Sequence, residues 1–151
     1  MRNKPTIRNY FRLNIPARSQ NELFARTVVS AFAAQLDPTV EEINDIKAAV
    51  SEAVTNCIVH AYAGYENIGA IEITSRIMSD STVYIRIKDK GCGIADIALA
   101  KTPLFTTCAE GERAGLGFVV MESFMDKLKV FSKPNKGTTI TMSKRLTERP
   151  A

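Results

Sequence analysis

The chain has 151 residues, 45% hydrophobic and 24% charged, with no tryptophan and a formal net charge of +4. That length suffices to bury a core without metal or disulfide support, but not for two full catalytic domains. Residues 1–151 are therefore expected to form a single domain. An odd set of cysteines, at 57, 92 and 108, and a lone histidine, His60, exclude a zinc constellation and argue for a reducing cytoplasm without a disulfide framework. The first fifteen residues alternate charged and apolar types and lack the apolar core of a signal peptide. No apolar run approaches the roughly 20 residues of a membrane span, so a soluble cytoplasmic protein is expected. The basic residues are scattered along the chain, and direct DNA binding is not expected.

Phe11, Leu13 and Ile15 alternate with polar residues and predict a strand ending at Pro16. Ser19 and Glu22 form a capping-box pattern for a first helix, with Phe24, Thr27, Val28, Ala31 and Phe32 on its predicted apolar face and its end at Leu36. Thr39 and Glu42 repeat the pattern for a longer helix reaching about Ala61, whose stripe is Ile43, Ile46, Val50, Ala53, Cys57 and Ala61. Ile71, Ile73 and Ile77, then Val83, Ile85 and Ile87, predict a hairpin turning at Met78–Ser81. From Asp89 to Gly115 the pattern fades, apart from a short helical candidate at Ile94–Lys101, and a loop of this length in a compact domain is commonly a lid. A helix from Leu116 to Phe124 and a hairpin around Asn135-Lys136-Gly137 complete the chain, with a frayed tail from Thr147. The order predicts a two-layer α/β (α+β) sandwich, with a mixed, mostly antiparallel sheet and helices on one face.

Chemistry concentrates at four places. At 100° per residue, Glu52, Asn56 and His60 fall on one flank of the second helix, about 120° from its apolar stripe. A carboxylate there can accept a proton and an amide oxygen can ligate Mg²⁺ beside phosphate. Asp89-Lys-Gly-Cys-Gly93 follows a strand, where Asp89 can accept from a base amino group and Gly91 and Gly93 permit close backbone approach. Gly115 and Gly117 open a helix, whose free N–H groups suit phosphate. The spacing is not that of a P-loop, which excludes a Walker-type site. Thr138 and Thr139 begin the last strand; taken alone, Gly137-Thr-Thr is a hairpin turn entering a strand.

Taken in order, Glu52-x-x-x-Asn56, Asp89-x-Gly91-x-Gly93, Gly115-x-Gly117 and Gly137-Thr-Thr139 resemble the boxes of the Bergerat ATP-binding fold, shared by gyrase, Hsp90 chaperones, histidine kinases and MutL. Ser51-Glu-Ala-Val-Thr-Asn56, Leu36-Asp-Pro-Thr39, Pro103-Leu-Phe-Thr-Thr107 and Gly115-Leu-Gly-Phe118 resemble more closely the anti-sigma F factors, a family of serine kinases, over about residues 10–146. The resemblance implies Glu52 as general base, Asn56 as Mg²⁺ ligand and Asp89 as the partner of adenine, with Gly91 and Gly93 on the pocket floor and Thr138 or Thr139 assisting. It implies Thr106, Thr107, Arg113, Gly115 and Gly117 around the phosphates of ATP, and Arg26 at a partner surface. It further implies a homodimer that binds a sporulation sigma factor of the sigma F type, blocks its association with RNA polymerase, and phosphorylates an anti-anti-sigma factor on serine. Alternative readings are a nucleotide-regulated sigma-binding module without kinase activity, and the stress-response anti-sigma kinase with other partners. Cys57, Cys108 and Ala114 stand where this family commonly has alanine, lysine and serine. At this length no second domain is expected to supply the lysine that gyrase-type ATPases recruit. His60, embedded in the site helix, is read as structural rather than as a phosphoacceptor.

Overall fold

The protein is described from a computed structural model, over residues 3–62, 69–94 and 114–147. The elements are β1 (Ile7–Pro16), α1 (Gln20–Ala33), α2 (Val40–Asn56), β2 (Ala70–Met78), β3 (Thr82–Asp89), α3 (Ala114–Phe124), β4 (Lys127–Lys133) and β5 (Gly137–Arg145). The strands form one sheet in the order β1-β2-β3-β5-β4. Every neighbouring pair is antiparallel, so the expectation of a partly parallel, mixed sheet is corrected. The reason is the connection through two helices. α1 leads away from the end of β1 and α2 leads back, so β2 starts beside the residue where β1 stopped, Ala70 opposite Pro16.

Alternation along the strands fills the core from one face. Ile71, Ile73, Val83, Ile85, Ile87, Ile140 and Met142 are buried together with Ile46, Val50 and Val54 of α2 and with Phe118 and Met121 of α3. The predicted stripe of α2 holds, with Ala49 and Val54 added to it. Its start is also as predicted. Thr39 Oγ1 accepts from the Glu42 N–H at 3.1 Å, and Glu42 Oε1 accepts from the Thr39 N–H at 2.9 Å. Glu42 also accepts from the Thr147 N–H at 2.8 Å, which ties the chain beyond β5 to the start of this helix.

Two expectations for α1 are corrected. Ser19 precedes the helix without a side-chain cap, because its backbone is already helical (φ −58°, ψ −31°) rather than extended, and the Glu22 carboxylate accepts from Ser51 Oγ and lies 3.4 Å from Arg26 Nε. The buried face is Ala25, Val29, Ser30, Phe32 and Ala33, while Phe24 remains about half exposed and Thr27 and Ala31 are exposed. Several apolar side chains on both sides of the helix blur its period, and the one large aromatic that is buried, Phe32, packs edge-on against Phe11 of β1, their centroids 4.9 Å apart. The helix ends in a 3₁₀ turn at Ala34–Leu36, followed by Asp37 at φ 50°, at the predicted joint.

The helical candidate at Ile94–Lys101 and the tail beyond Thr147 lie almost wholly outside the described residues. Among the described residues no helix is long and apolar enough to cross a membrane. Cys57 is a free, buried thiol.

Candidate functional site

Helix α2 carries Glu52 and Asn56 on a half-buried flank beside its core stripe. The helix does not continue in α geometry to Ala61. Residues Cys57–Ala61 form a π turn, so the 100° step that aligned His60 with the other two fails over the last turn. His60 is nonetheless buried in the same cleft wall as Asn56, and burial lowers its pKa, favouring the neutral ring. The first turn of α3 meets this flank. A Cβ added to Gly117 would lie 3.3 Å from both Glu52 Oε2 and Asn56 Oδ1, so the glycine leaves open the space in front of both groups. Asn56 Nδ2 is buried without a hydrogen-bond partner among the described residues. A buried amide donor in this state can be satisfied by an ordered water or by a polar ligand entering the cleft.

From Asn56 the cleft runs past His60 and Phe118 to Asp89, Gly93, Ile94 and Thr138, enclosing about 380 Å³ including its open mouth. Asp89 ends β3 and is 5% exposed. Its Oδ1 accepts from the N–H groups of Gly91 at 2.9 Å and Thr138 at 3.2 Å, and its Oδ2 from the Cys57 thiol at 3.5 Å. Burial raises its pKa above the usual aspartate value, against the pull of those three donors. Burial and the adjacent Asp89 charge push the Cys57 thiol well up, keeping it protonated as a donor. Asp89 lines a cleft whose walls include the apolar Ala61, Ile94, Phe118 and Ile140, a setting that can receive a flat ligand carrying a hydrogen-bond donor.

The structure brings Asn56, Asp89, Gly93 and Thr138 around one cleft, with Gly117 and Glu52 meeting beside Asn56. Gly91 supports it from behind: its N–H helps hold Asp89, and its Cα packs on the Ala61 carbonyl. The close approach expected of the glycines toward a ligand is thus directed at the protein itself. Gly93 has φ +73°, and a Cβ there would collide with the Lys133 carbonyl oxygen. Gly137 has φ +92°, and a Cβ would strike the Asp89 carbonyl oxygen. Gly137→Ala is expected to cost about 1–3 kcal/mol of stability from backbone strain alone, read as a lower urea midpoint at unchanged slope. Thr138 lines the cleft and bonds Ser132 Oγ at 2.8 Å, whereas Thr139, next along the strand, pairs with Lys88 and Phe131 on the opposite face. Gly115 lies in the first turn of α3; Thr106, Thr107 and Arg113 lie outside the described residues. Arg26 sits on α1, its side chain 38% exposed beside Glu22. Sequence reasoning missed Cys57 and Ser132 as contributors, because neither residue type marks a role that depends on distant strands.

A model of the histidine kinase-like ATPase domain matches residues 15–144. An anti-sigma F factor of Thermoanaerobacter pseudethanolicus is 61% identical over 137 residues, covering 90% of this chain and 93% of that protein. The chain belongs to the anti-sigma F factor family. Another member, from Geobacillus stearothermophilus, is 50% identical over 143 residues, covering 95% of this chain and 97% of its own length. Among solved structures, the RsbU and RsbW domains of a Mycobacterium tuberculosis protein superpose with a TM-score of 0.67 at 22% identity. That match covers 95% of this chain but only 34% of the longer solved chain, so it speaks for the fold. A blue-light activated histidine kinase from Erythrobacter litoralis gives 0.57 over 80% of this chain and 40% of its own. The anti-sigma F factor family membership and the ATPase-domain match agree with the two-layer sandwich and with a cleft between α2, α3 and the Asp89 strand end.

Proposed function

We propose that this anti-sigma F family member binds ATP with Mg²⁺ in the cleft and transfers the γ-phosphoryl group to a serine of an anti-anti-sigma factor. In this reading it also holds a sporulation sigma factor of the sigma F type away from RNA polymerase, acting in the cytoplasm as a single-domain homodimer. The observation that carries the proposal is the meeting of Gly117 with Glu52 and Asn56, beside a buried acceptor at Asp89. One end of the cleft suits a base amino group. The other puts a carboxylate, an amide and a glycine-opened helix start together, which is what phosphoryl transfer asks for.

No cluster of three or more acidic, histidine or cysteine side chains among the described residues could hold a metal alone. The donor set fits a magnesium ion that arrives with the phosphates and takes one protein oxygen, from Asn56. When bound, that ion neutralises phosphate charge. The protein's own groups do the rest. Asp89 orients the base, and Gly93 and Thr138 shape the walls that hold it. The α3 start, with Gly115 and Gly117, directs N–H groups at phosphate. Glu52 accepts the serine hydroxyl proton as that oxygen bonds to the γ-phosphorus and ADP departs. Thr106, Thr107 and Arg113 are assigned to the phosphates, and Thr139 to the adenine side, on the strength of the motif resemblance; Arg26 is assigned to the partner surface on the same ground.

The test uses the purified chain with magnesium and γ-labelled ATP. A sigma factor captured from sporulating cells and label appearing on the serine of an anti-anti-sigma protein are expected. Sigma capture without transferred label would reduce the protein to a nucleotide-regulated binding module. Capture of a stress-response sigma factor instead would replace the partners while keeping the chemistry.

A further inference from the structure

The face of the sheet turned away from the helices is the largest feature the cleft does not use. Strand register places its residues in three rows of five. One runs Tyr10, Arg76, Tyr84, Ser143, Lys127; the next Arg12, Thr74, Arg86, Thr141, Lys129; the third Asn14, Glu72, Lys88, Thr139, Phe131. Arg12, Arg76, Arg86, Lys88, Lys127 and Lys129 make six positive charges, against one carboxylate, Glu72. Residues scattered in sequence are thus gathered on one surface, roughly 19 Å wide at about 4.8 Å per strand. Asp80, at the rim, commits its carboxylate to the Thr82 N–H at 3.1 Å.

We infer that this sheet face docks an acidic, extended segment of a partner protein. Lysines on an edge strand commonly guard against strand addition. That accounts for Lys127 and Lys129 but not for Arg76, Arg86 and Lys88, which stand on interior strands. The surface already accepts a carboxylate, since Arg86 Nη2 lies 3.4 Å from Glu72 Oε1. Thr141 and Ser143 separate the charges with small side chains, leaving room for an extended chain to cross the rows. A second copy of this chain is disfavoured, because an isologous contact would bring these like charges together. Single-stranded nucleic acid stacks successive bases on neighbouring aromatic rings, and here the rings are dispersed. Arg76 already lies over the ring of Tyr84, 5.9 Å from its centroid, and Tyr10 and Phe131 stand on opposite edge strands.

Fluorescence anisotropy with a labelled peptide of alternating Glu and Thr tests the inference on the full chain, with a labelled oligothymidylate as the rival probe. The peptide is expected to bind, to release as salt is raised, and to lose about tenfold or more in affinity in the Arg86→Glu, Lys129→Glu variant. A control variant, Arg18→Ala with Lys47→Ala, removes charge elsewhere and is expected to bind as the parent does. ATP affinity is expected unchanged in both, which separates this surface from the cleft: its failure would leave the kinase reading untouched. Tighter oligothymidylate binding with the same dependence on Arg86 and Lys129 would overturn the inference in favour of nucleic acid. Equal loss of peptide in the control variant, or no peptide binding, would also overturn it. So would a change in sedimentation of the face variant with peptide affinity intact, which would make the face a contact between copies.

Discussion

Glu52→Gln is expected to lower phosphoryl transfer by about 10²–10⁴-fold, the usual loss when a general base is removed. Nucleotide and sigma binding should survive. The substitution is nearly isosteric, and Glu52 stands in the space Gly117 leaves open rather than in the core. It removes only the capacity to accept the serine proton. Radiolabel incorporation into the anti-anti-sigma protein measures the loss, and incorporation at the parental rate would refute the assignment.

Asp89→Asn is the second large effect, and it acts on binding. Both carboxylate oxygens are already used as acceptors, Oδ1 twice by backbone N–H groups and Oδ2 by the Cys57 thiol. An amide must turn its NH₂ toward one of these sets of donors. If the NH₂ takes the Oδ2 position, it confronts the Cys57 thiol and the base amino group. If it takes the Oδ1 position, two N–H groups lose their acceptor. A hydrogen bond to a charged group contributes about 1.5–3 kcal/mol, so ATP affinity should fall by about 10–10²-fold. Calorimetry with ATP is the measurement, and unchanged affinity would remove Asp89 from base recognition. The parent is expected to carry a pH signature of the same proposed contact. Because burial raises the folded-state pKa of Asp89, the ionised acceptor is lost on acidification at a higher pH than an ordinary aspartate would set.

Local signals in the sequence were legible where local physics decides. The Thr39–Glu42 cap, the β2–β3 hairpin and the alternation that fills the core all depend on residues within a turn or a strand of each other. Legibility failed where a distant partner competes. The first capping box never closes: Ser19 takes up helical backbone angles, and the Glu22 carboxylate is engaged by Ser51, 29 residues away. Gly93 satisfies a loop pattern in the sequence, but its conformation is dictated by Lys133 on another strand. The meeting of Gly117 with Glu52 and Asn56 was signalled only by residue types, since nothing in their spacing says that two helices cross there. The basic sheet face was invisible for a related reason. Charge scattered along a chain becomes a surface only once five strands have chosen a register.

The π turn at Cys57–Ala61 has a mechanical meaning. Its terminal carbonyl, on Ala61, accepts the Cys92 N–H at 2.7 Å, and His60 and Cys57 within the same turn face the cleft and Asp89. The helix bearing Glu52 and the loop that follows Asp89 are consequently stitched together through a single widened turn, only five residues long. Under the proposed function, that turn is the shortest stretch of backbone joining the two ends of the cleft.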